Sequence, residues 1–214
     1  FLNTLGTIAL ISPLLGLLGT VIGLIRMFLS ILNSGIGDAN QMAGGIGEAV
    51  CEAIEHVFGG HASVYYEISH NLIQKEGGQF VARKGTTRAF PAKHPALKGS
   101  AWEHTGHPIL IPGSMETGSA ILFAREGAAQ SLYSVNHGAG RRLSRSAAAR
   151  TLSQTETDAR MKQLGVVLNT RQTPLDESGP CYKDLEAVLH AVEVARLATV
   201  ERRLTPIACI KGND

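Results

Sequence analysis

Paired cysteines, a marked charge excess and a secretory-type leader are all missing from this sequence, and each absence narrows what the chain can be. The 214 residues hold three cysteines, Cys51, Cys181 and Cys209, scattered with no C-x-x-C pair. That spacing argues against a disulfide-built scaffold, gives no zinc signature and fits a reducing compartment. With 20 Lys and Arg against 18 Asp and Glu, the net charge is only +2, too small for a protein that coats nucleic acid by bulk charge. Internal repeats, low-complexity tracts and flexible linkers are absent as well. Phe1 is not preceded by an initiator Met or a basic segment, so the start reads as an internal point of a longer protein rather than as a secretory signal. The length allows one or two ordinary domains.

Charge is also missing locally. Residues 1–50 hold one basic residue, Arg26, and two acidic ones, Asp38 and Glu48, whereas residues 51–214 hold 19 basic and 16 acidic residues and all eight His. From Leu5 to Ile25 run 21 uncharged residues, and a helix of that length crosses a hydrocarbon core about 30 Å thick. Gly16, Gly19 and Gly23 share one face of such a helix, where another membrane helix can approach, and neighbouring helices can satisfy the carbonyl freed by Pro13. The competing reading is a buried helix of a soluble protein.

The run Leu14-Leu-Gly-Leu-Leu-Gly-Thr-Val-Ile-Gly-Leu24, followed by Met42-Ala-Gly-Gly-Ile-Gly-Glu-Ala49, resembles the proton-channel family of ExbB, TolQ and MotA. In that family the Gly-Thr-Val segment lines a pore. The resemblance therefore makes Thr20 a pore hydroxyl and implies proton-channel partner helices and a bacterial inner-membrane anchor through residues 5–25. The next segment, Cys51-Glu-Ala-Ile-Glu-His56, is too polar for a span. The family's following membrane helix is thus missing, and one span cannot enclose a hydrated proton path.

Beyond residue 51 the pattern is that of a soluble α+β domain. Strand-like runs fall at Gln79 to Ala82, Ile109 to Ile111, Ala120 to Phe123 and Ile207 to Ile210, separated by Gly and Pro. Ser153-Gln-Thr-Glu156 reads as a capping box opening a helix that Gly165 closes. Apolar residues at Leu185, Val188, Leu189, Val192, Val200 and Leu204 predict a second helix over Lys183 to Leu204, stopped by Pro206. The expected architecture is an α+β fold with an N-terminal hydrophobic, transmembrane helix, divided into residues 1–50 and 51–214.

Three short stretches concentrate the chemistry. In Asn136-His-Gly-Ala-Gly-Arg-Arg142 two glycines let the backbone approach a ligand beside His137, and Arg141 supplies fixed positive charge. A neutral imidazole is also a nucleophile able to attack phosphorus. A glycine-rich turn with a hydrogen-bonded His explains the same spacing equally well. In Tyr66-Glu-Ile-Ser-His-Asn71, His70 offers an imidazole to a metal and Asn71 an amide to a phosphate oxygen, although a satisfied structural His is the simpler reading. In Ile111-Pro-Gly-Ser-Met-Glu-Thr-Gly-Ser119, hydroxyls and N–H groups either bind an anion or close a turn.

In that order, and together with Arg83-Lys-Gly-Thr-Thr-Arg88, Ser144-Arg145, Tyr182-Lys-Asp184 and Ile210-Lys-Gly212, these stretches resemble the RtcB family of RNA ligases. The resemblance implies a GTP- and manganese-dependent enzyme of tRNA splicing and RNA repair. That family joins RNA 2′,3′-cyclic phosphate or 3′-phosphate ends to 5′-hydroxyl ends through a histidine–GMP intermediate. It makes His137 the guanylylated nucleophile and His70 a manganese ligand. Asn71 would touch the GTP phosphates, and Pro112, Gly113, Ser114, Met115 and Ser119 would line the nucleotide pocket. Gly138, Ala139 and Gly140 would complete the loop around the nucleotide, Lys211 would bind the guanine nucleotide and Tyr182 would pack near the base. Arg83, Lys84, Arg88, Arg141 and Arg145 would bring positive charge to phosphates. A cytoplasmic location for residues 51–214 follows from the same resemblance.

The family's Asp-x-Gly-Cys, Gly-Asn-His-Phe and His-Ser-Gly-Ser-Arg segments do not occur in this sequence. Most metal ligands are therefore missing, and manganese held by His70 alone would be weak. His104 and His107, spaced H-x-x-H before Pro108, are tempting substitute metal ligands, but the family gives them no role. Glu116 stands where a Gly is common and is expected to crowd or repel phosphate. The expected whole is a two-part chimera, natural, engineered or misassembled, whose ligase part is impaired. Two other classes stay open: a membrane subunit of an ion-driven motor, and a nucleotide- or RNA-binding pseudoenzyme.

Overall fold

The computed structural model describes residues 39–211, with side-chain surroundings from residue 47 onward. The expected span from Leu5 to Ile25 lies outside these residues. Among the described residues no helix is long and apolar enough to cross a membrane. The chain divides into two compact units, residues 1–82 and 83–214.

In the first unit, helix α1 (Ala39–Phe58) runs unbroken through the boundary expected between residues 50 and 51. The Gly59 N–H closes its last turn on the Glu55 carbonyl at 2.9 Å. The Glu55 carboxylate then accepts from the Ala62 N–H at 2.6 Å and pairs with His61 Nδ1 at 2.8 Å, tying the start of the extended segment to the helix end. Strands β1 (Asn71–Glu76) and β2 (Gln79–Lys84) form a hairpin across Gly77-Gly78, realising the strand expected from Gln79.

The second unit is built on a three-stranded antiparallel sheet in the order β4 (Pro108–Pro112), β5 (Ser119–Ala124), β8 (Ala198–Leu204). Along β5 burial alternates strictly, with Ala120, Leu122 and Ala124 inward, the period-2 signature of a half-covered sheet. Helix α4 (Leu185–Val194) places Leu185, Leu189 and Val192 in the same core as Ile109, Ile111 and Leu122. Asp184 caps it by accepting from the Ala187 N–H at 2.7 Å.

The helix expected over Lys183 to Leu204 is therefore only its first half. At Ala195 the helix ends, Arg196 turns left-handed at φ 55°, and the chain re-enters the sheet as β8 beside β5. The Leu197 carbonyl accepts from the Arg125 N–H at 2.9 Å as this reversal is made. Open hydrogen bonds along the β5 edge, together with the β-branched pair Thr199-Val200, outweigh the helical spacing of Val200 and Leu204.

Two small ladders complete the unit. β3 (Thr86–Arg88) pairs antiparallel with β6 (Ser134–Asn136), and β7 (Val167–Leu168) pairs parallel with β9 (Ala208–Cys209), a shorter strand than the expected Ile207 to Ile210. Helix α2 (Arg145–Thr151) is capped by Ser144 and helix α3 (Gln154–Leu164) by Ser153; Gly165 ends α3 at φ 71°, as the sequence predicts.

Candidate functional site

The short strand β6 delivers His137. Its approach is set by Arg83, which is only 1% exposed. The guanidinium donates to the Leu132 carbonyl at 2.9 Å and to Ser134 Oγ at 3.0 Å, across a turn in which Leu132 and Tyr133 both hold positive φ. Arg83 thus stabilises a strained turn and faces inward, not toward a phosphate. On the other side Thr86 of β3 lies opposite Asn136, and the His137 N–H reaches the Gly85 carbonyl at 3.4 Å. A Cβ on Gly85 would stand 3.7 Å from His137 Nε2, so the exposed imidazole lies over bare backbone.

After His137 the loop is pinned at both ends. Asn136 Nδ2 donates to the Gly138 carbonyl at 2.8 Å, and the Ala139 N–H donates to the Pro112 carbonyl at 2.9 Å. A side chain on Gly138 would press on that same carbonyl, at 3.3 Å. The Lys183 N–H reaches the Gly140 carbonyl at 2.9 Å, and Arg141 forms a bridge with Tyr182. The structure therefore brings His137, Gly138, Ala139, Gly140, Pro112 and Tyr182 together, residues that lie up to 70 positions apart.

Charge gathers next to this loop. Arg141 Nη2 donates to the Asp176 carbonyl at 2.6 Å and Nη1 to the Tyr182 hydroxyl at 3.3 Å, and its carbon Cζ lies 5.2 Å from the centre of the Tyr182 ring. The Tyr182 hydroxyl donates to Glu177 Oε2 at 2.9 Å, and the Lys211 ammonium donates to the same oxygen at 3.4 Å. Arg145 pairs with Asp176 at 3.4 Å. Burial alone would raise the Glu177 carboxyl, but the Tyr182 hydroxyl, Lys211 and Arg141 outweigh it and hold the group below the usual carboxylate range. Burial, followed by the bond to Glu177, raises the Tyr182 hydroxyl.

Lys211 is fixed through its backbone as well. Asn169 Nδ2 donates to the Lys211 carbonyl at 2.8 Å, and the Lys211 N–H donates to Asn169 Oδ1 at 2.7 Å. One side-chain amide thus extends the β7–β9 pairing by a further step. Sequence reading missed Asp176, Glu177 and Asn169. The acidic pair ahead of Tyr182 is visible in the sequence, but apart from Tyr182 itself its partners Arg141, Arg145 and Lys211 are remote and no local spacing announces them.

The loop from Gly113 to Gly118 is largely closed on itself. Ser114 Oγ accepts from the Glu116 and Thr117 N–H groups at 3.2 and 3.1 Å, and the Gly113 N–H reaches the Gly118 carbonyl at 2.8 Å. Met115 is buried with Met161 and Val166 in a second small core, and Ser119 opens β5 opposite Pro112. Glu116 does not project toward a ligand: its carboxylate accepts from the Gly179 N–H at 2.8 Å and pairs with Arg160 at 3.4 Å.

His70 and Asn71 belong to the first unit, where both are exposed at the start of β1 and the Asn71 N–H donates to Ser69 Oγ at 3.3 Å. Among the described residues no group of three His, Cys, Asp or Glu is placed to hold a metal ion. These residues therefore do not fit a manganese centre by themselves. His107 is buried, accepts from the Phe90 N–H on Nδ1 at 3.3 Å and stacks on the Phe90 ring. Burial, followed by Arg88, lowers its pKa to about 4. A neutral His filled in this way is part of the core, while His104 is exposed.

Fold and site define an α+β protein that displays a histidine on a glycine loop beside a cluster of Arg, Tyr and Lys. The family described as tRNA-splicing ligase RtcB matches residues 38–212, and the chain belongs to that RtcB family. It is 34% identical over 179 residues to the tRNA-splicing ligase RtcB of Methanocaldococcus jannaschii, covering 76% of this chain and 18% of that protein. It is 35% identical over 179 residues to the RNA-splicing ligase RtcB of Mycobacterium tuberculosis, covering 77% and 41%. RNA-splicing ligase RtcB homolog 1 of Entamoeba dispar is 34% identical over 158 residues, covering 69% and 29%. The chain thus spans less than half the length of these relatives. The family match takes in Met42 to Ala49, which also carry half of the proton-channel resemblance, and the comparisons give no support to a proton-channel fragment.

Proposed function

We propose that this chain is the nucleotide-binding, C-terminal region of an RtcB-type RNA ligase. The observation that carries this reading is the convergence of His137 and its glycine loop with Pro112, Tyr182 and Arg141, with Lys211 joined to Tyr182 through Glu177. An exposed imidazole over bare backbone suits attack on a phosphorus centre, and Arg141, four residues further along the same loop, is the nearest cation in the sequence to balance negative charge. In this reading GTP is the nucleotide, and the His137 nitrogen forms the bond to the guanylyl phosphorus as pyrophosphate leaves. GMP then passes from His137 to an RNA 3′-phosphate end, a 2′,3′-cyclic phosphate being first opened by water, and leaves as GMP when the 5′-hydroxyl end attacks that phosphate.

Manganese completes the reading only with ligands beyond those described, because His70 alone does not make a site. The 214 residues by themselves are therefore proposed to be impaired, with most metal ligands coming from the family's N-terminal half. The division at residues 50 and 51, the cytoplasmic location of residues 51–214 and the membrane anchor at residues 5–25 belong to the same proposal; the anchor rests on the uncharged run alone. Carbonate extraction tests that anchor: a chain released from membranes by carbonate contradicts it.

RNA joining tests the ligase reading. The chain is mixed with GTP, manganese and RNA bearing cyclic-phosphate and 5′-hydroxyl ends, with or without an RtcB N-terminal half. Joined RNA is expected only when that half is supplied. Folded protein that joins no RNA even then contradicts the proposal.

A further inference from the structure

We propose that Glu177 is a positioning residue of the nucleotide site, fixing the directions of the Lys211 ammonium and the Tyr182 hydroxyl and linking both to Arg141 behind the His137 loop. This rests on the nucleotide-binding reading above. A single carboxylate oxygen accepts from the Tyr182 hydroxyl at 2.9 Å and from Lys211 Nζ at 3.4 Å, while the other lies 3.9 Å from Arg141 Nη1. Three groups from separate parts of the chain thus meet at one anion. The Glu177 and Lys211 side chains are each 29% exposed, open enough for a ligand to reach them and covered enough for the pairing to hold.

A lysine ammonium on four methylenes samples many directions, and ordering it on ligand binding opposes affinity. Lys211 has its backbone pinned on both polar groups by Asn169. Only the side chain is left to order, and Glu177 is the partner that orders it. The Tyr182 ring, held at its hydroxyl by the same carboxylate and covered on one face by Arg141, is likewise fixed in plane. Glu177 itself touches no phosphate in this scheme. It acts through Lys211 and Tyr182, so its loss is expected to weaken recognition of the nucleoside part more than of the phosphates.

The test is binding of GTP and of inorganic tripolyphosphate, measured by calorimetry, to the full chain and to Glu177→Gln, Glu177→Asp and Lys211→Met. The expected result is a loss of about tenfold in GTP affinity for Glu177→Gln with tripolyphosphate affinity unchanged, the size of one charge-assisted hydrogen-bond network. Partial recovery is expected in Glu177→Asp, and a smaller further loss, that of the Tyr182 contact alone, when Glu177→Gln is added to Lys211→Met. Melting curves identify any variant that fails to fold, and Glu177→Asp then carries the comparison. Equal losses for GTP and tripolyphosphate, or unchanged GTP binding in Glu177→Gln, overturn the proposal. A folded wild-type chain that binds tripolyphosphate but not GTP overturns the nucleotide reading itself, and this proposal with it.

Discussion

His107 shows how one residue turns a sequence ambiguity into a measurable property. Its H-x-x-H spacing suggests a ligand, yet its Nδ1 accepts from Phe90 and burial lowers its pKa from 6.5 to about 4. Between those values the unfolded chain binds a proton that the folded chain refuses. Stability is therefore full above pH 6.5 and falls as the pH drops toward 4, by on the order of 3 kcal/mol. Urea unfolding across that window is expected to show the slope, and His107→Gln to flatten it. Arg83 is a second case. By sequence it is one more cation for phosphate, but its burial commits it to Leu132 and Ser134. Arg83→Met is expected to lower unfolding stability by about 2 kcal/mol, because the part-buried Leu132 carbonyl and Ser134 hydroxyl lose their donor.

At the level of elements, what was legible was whatever a local signal fixes. The strands near Gln79, Ile109 and Ala120 and the helix from Ser153 to Gly165 follow from alternation, caps and glycine, and all are present. Strand β8 was not legible, because Val200 and Leu204 continue a helical spacing that only the open edge of β5 overrules. The same divide separates the site residues. His137 and its glycines announce themselves by spacing, whereas Glu177 and Asn169 act through partners 34 and 42 positions away.

Two glycines separate conformational strain from crowding. Gly165 and Gly118 both hold positive φ, but a Cβ on Gly165 meets nothing within 4 Å, while one on Gly118 would overlap the Leu204 carbonyl. Gly165→Ala is expected to cost about 1 kcal/mol. Gly118→Ala is expected to cost at least about 2 kcal/mol more, since β5 and β8 must also move apart. Thermal unfolding of the two variants checks the order.

Taken whole, the chain corresponds to less than half the length of the relatives it matches. Its family match covers residues 38–212 while its relatives run to more than twice the aligned length, and the described residues hold no metal-binding cluster. The charge is balanced overall but concentrated where Arg141, Arg145 and Lys211 meet Asp176 and Glu177. So small a net charge gives no basis for broad coating of nucleic acid, and under the proposed function any contact with a phosphate-bearing ligand is local.

The central claim is that His137 is the nucleophile of a guanylyl-transfer site. The measurement that tests it most directly is incubation with α-labelled GTP and manganese, with the RtcB N-terminal half supplied, followed by denaturing electrophoresis. An acid-labile labelled adduct is predicted on the wild-type chain and none on His137→Ala. Labelling that survives in His137→Ala, or its absence from folded wild-type protein, would contradict the account.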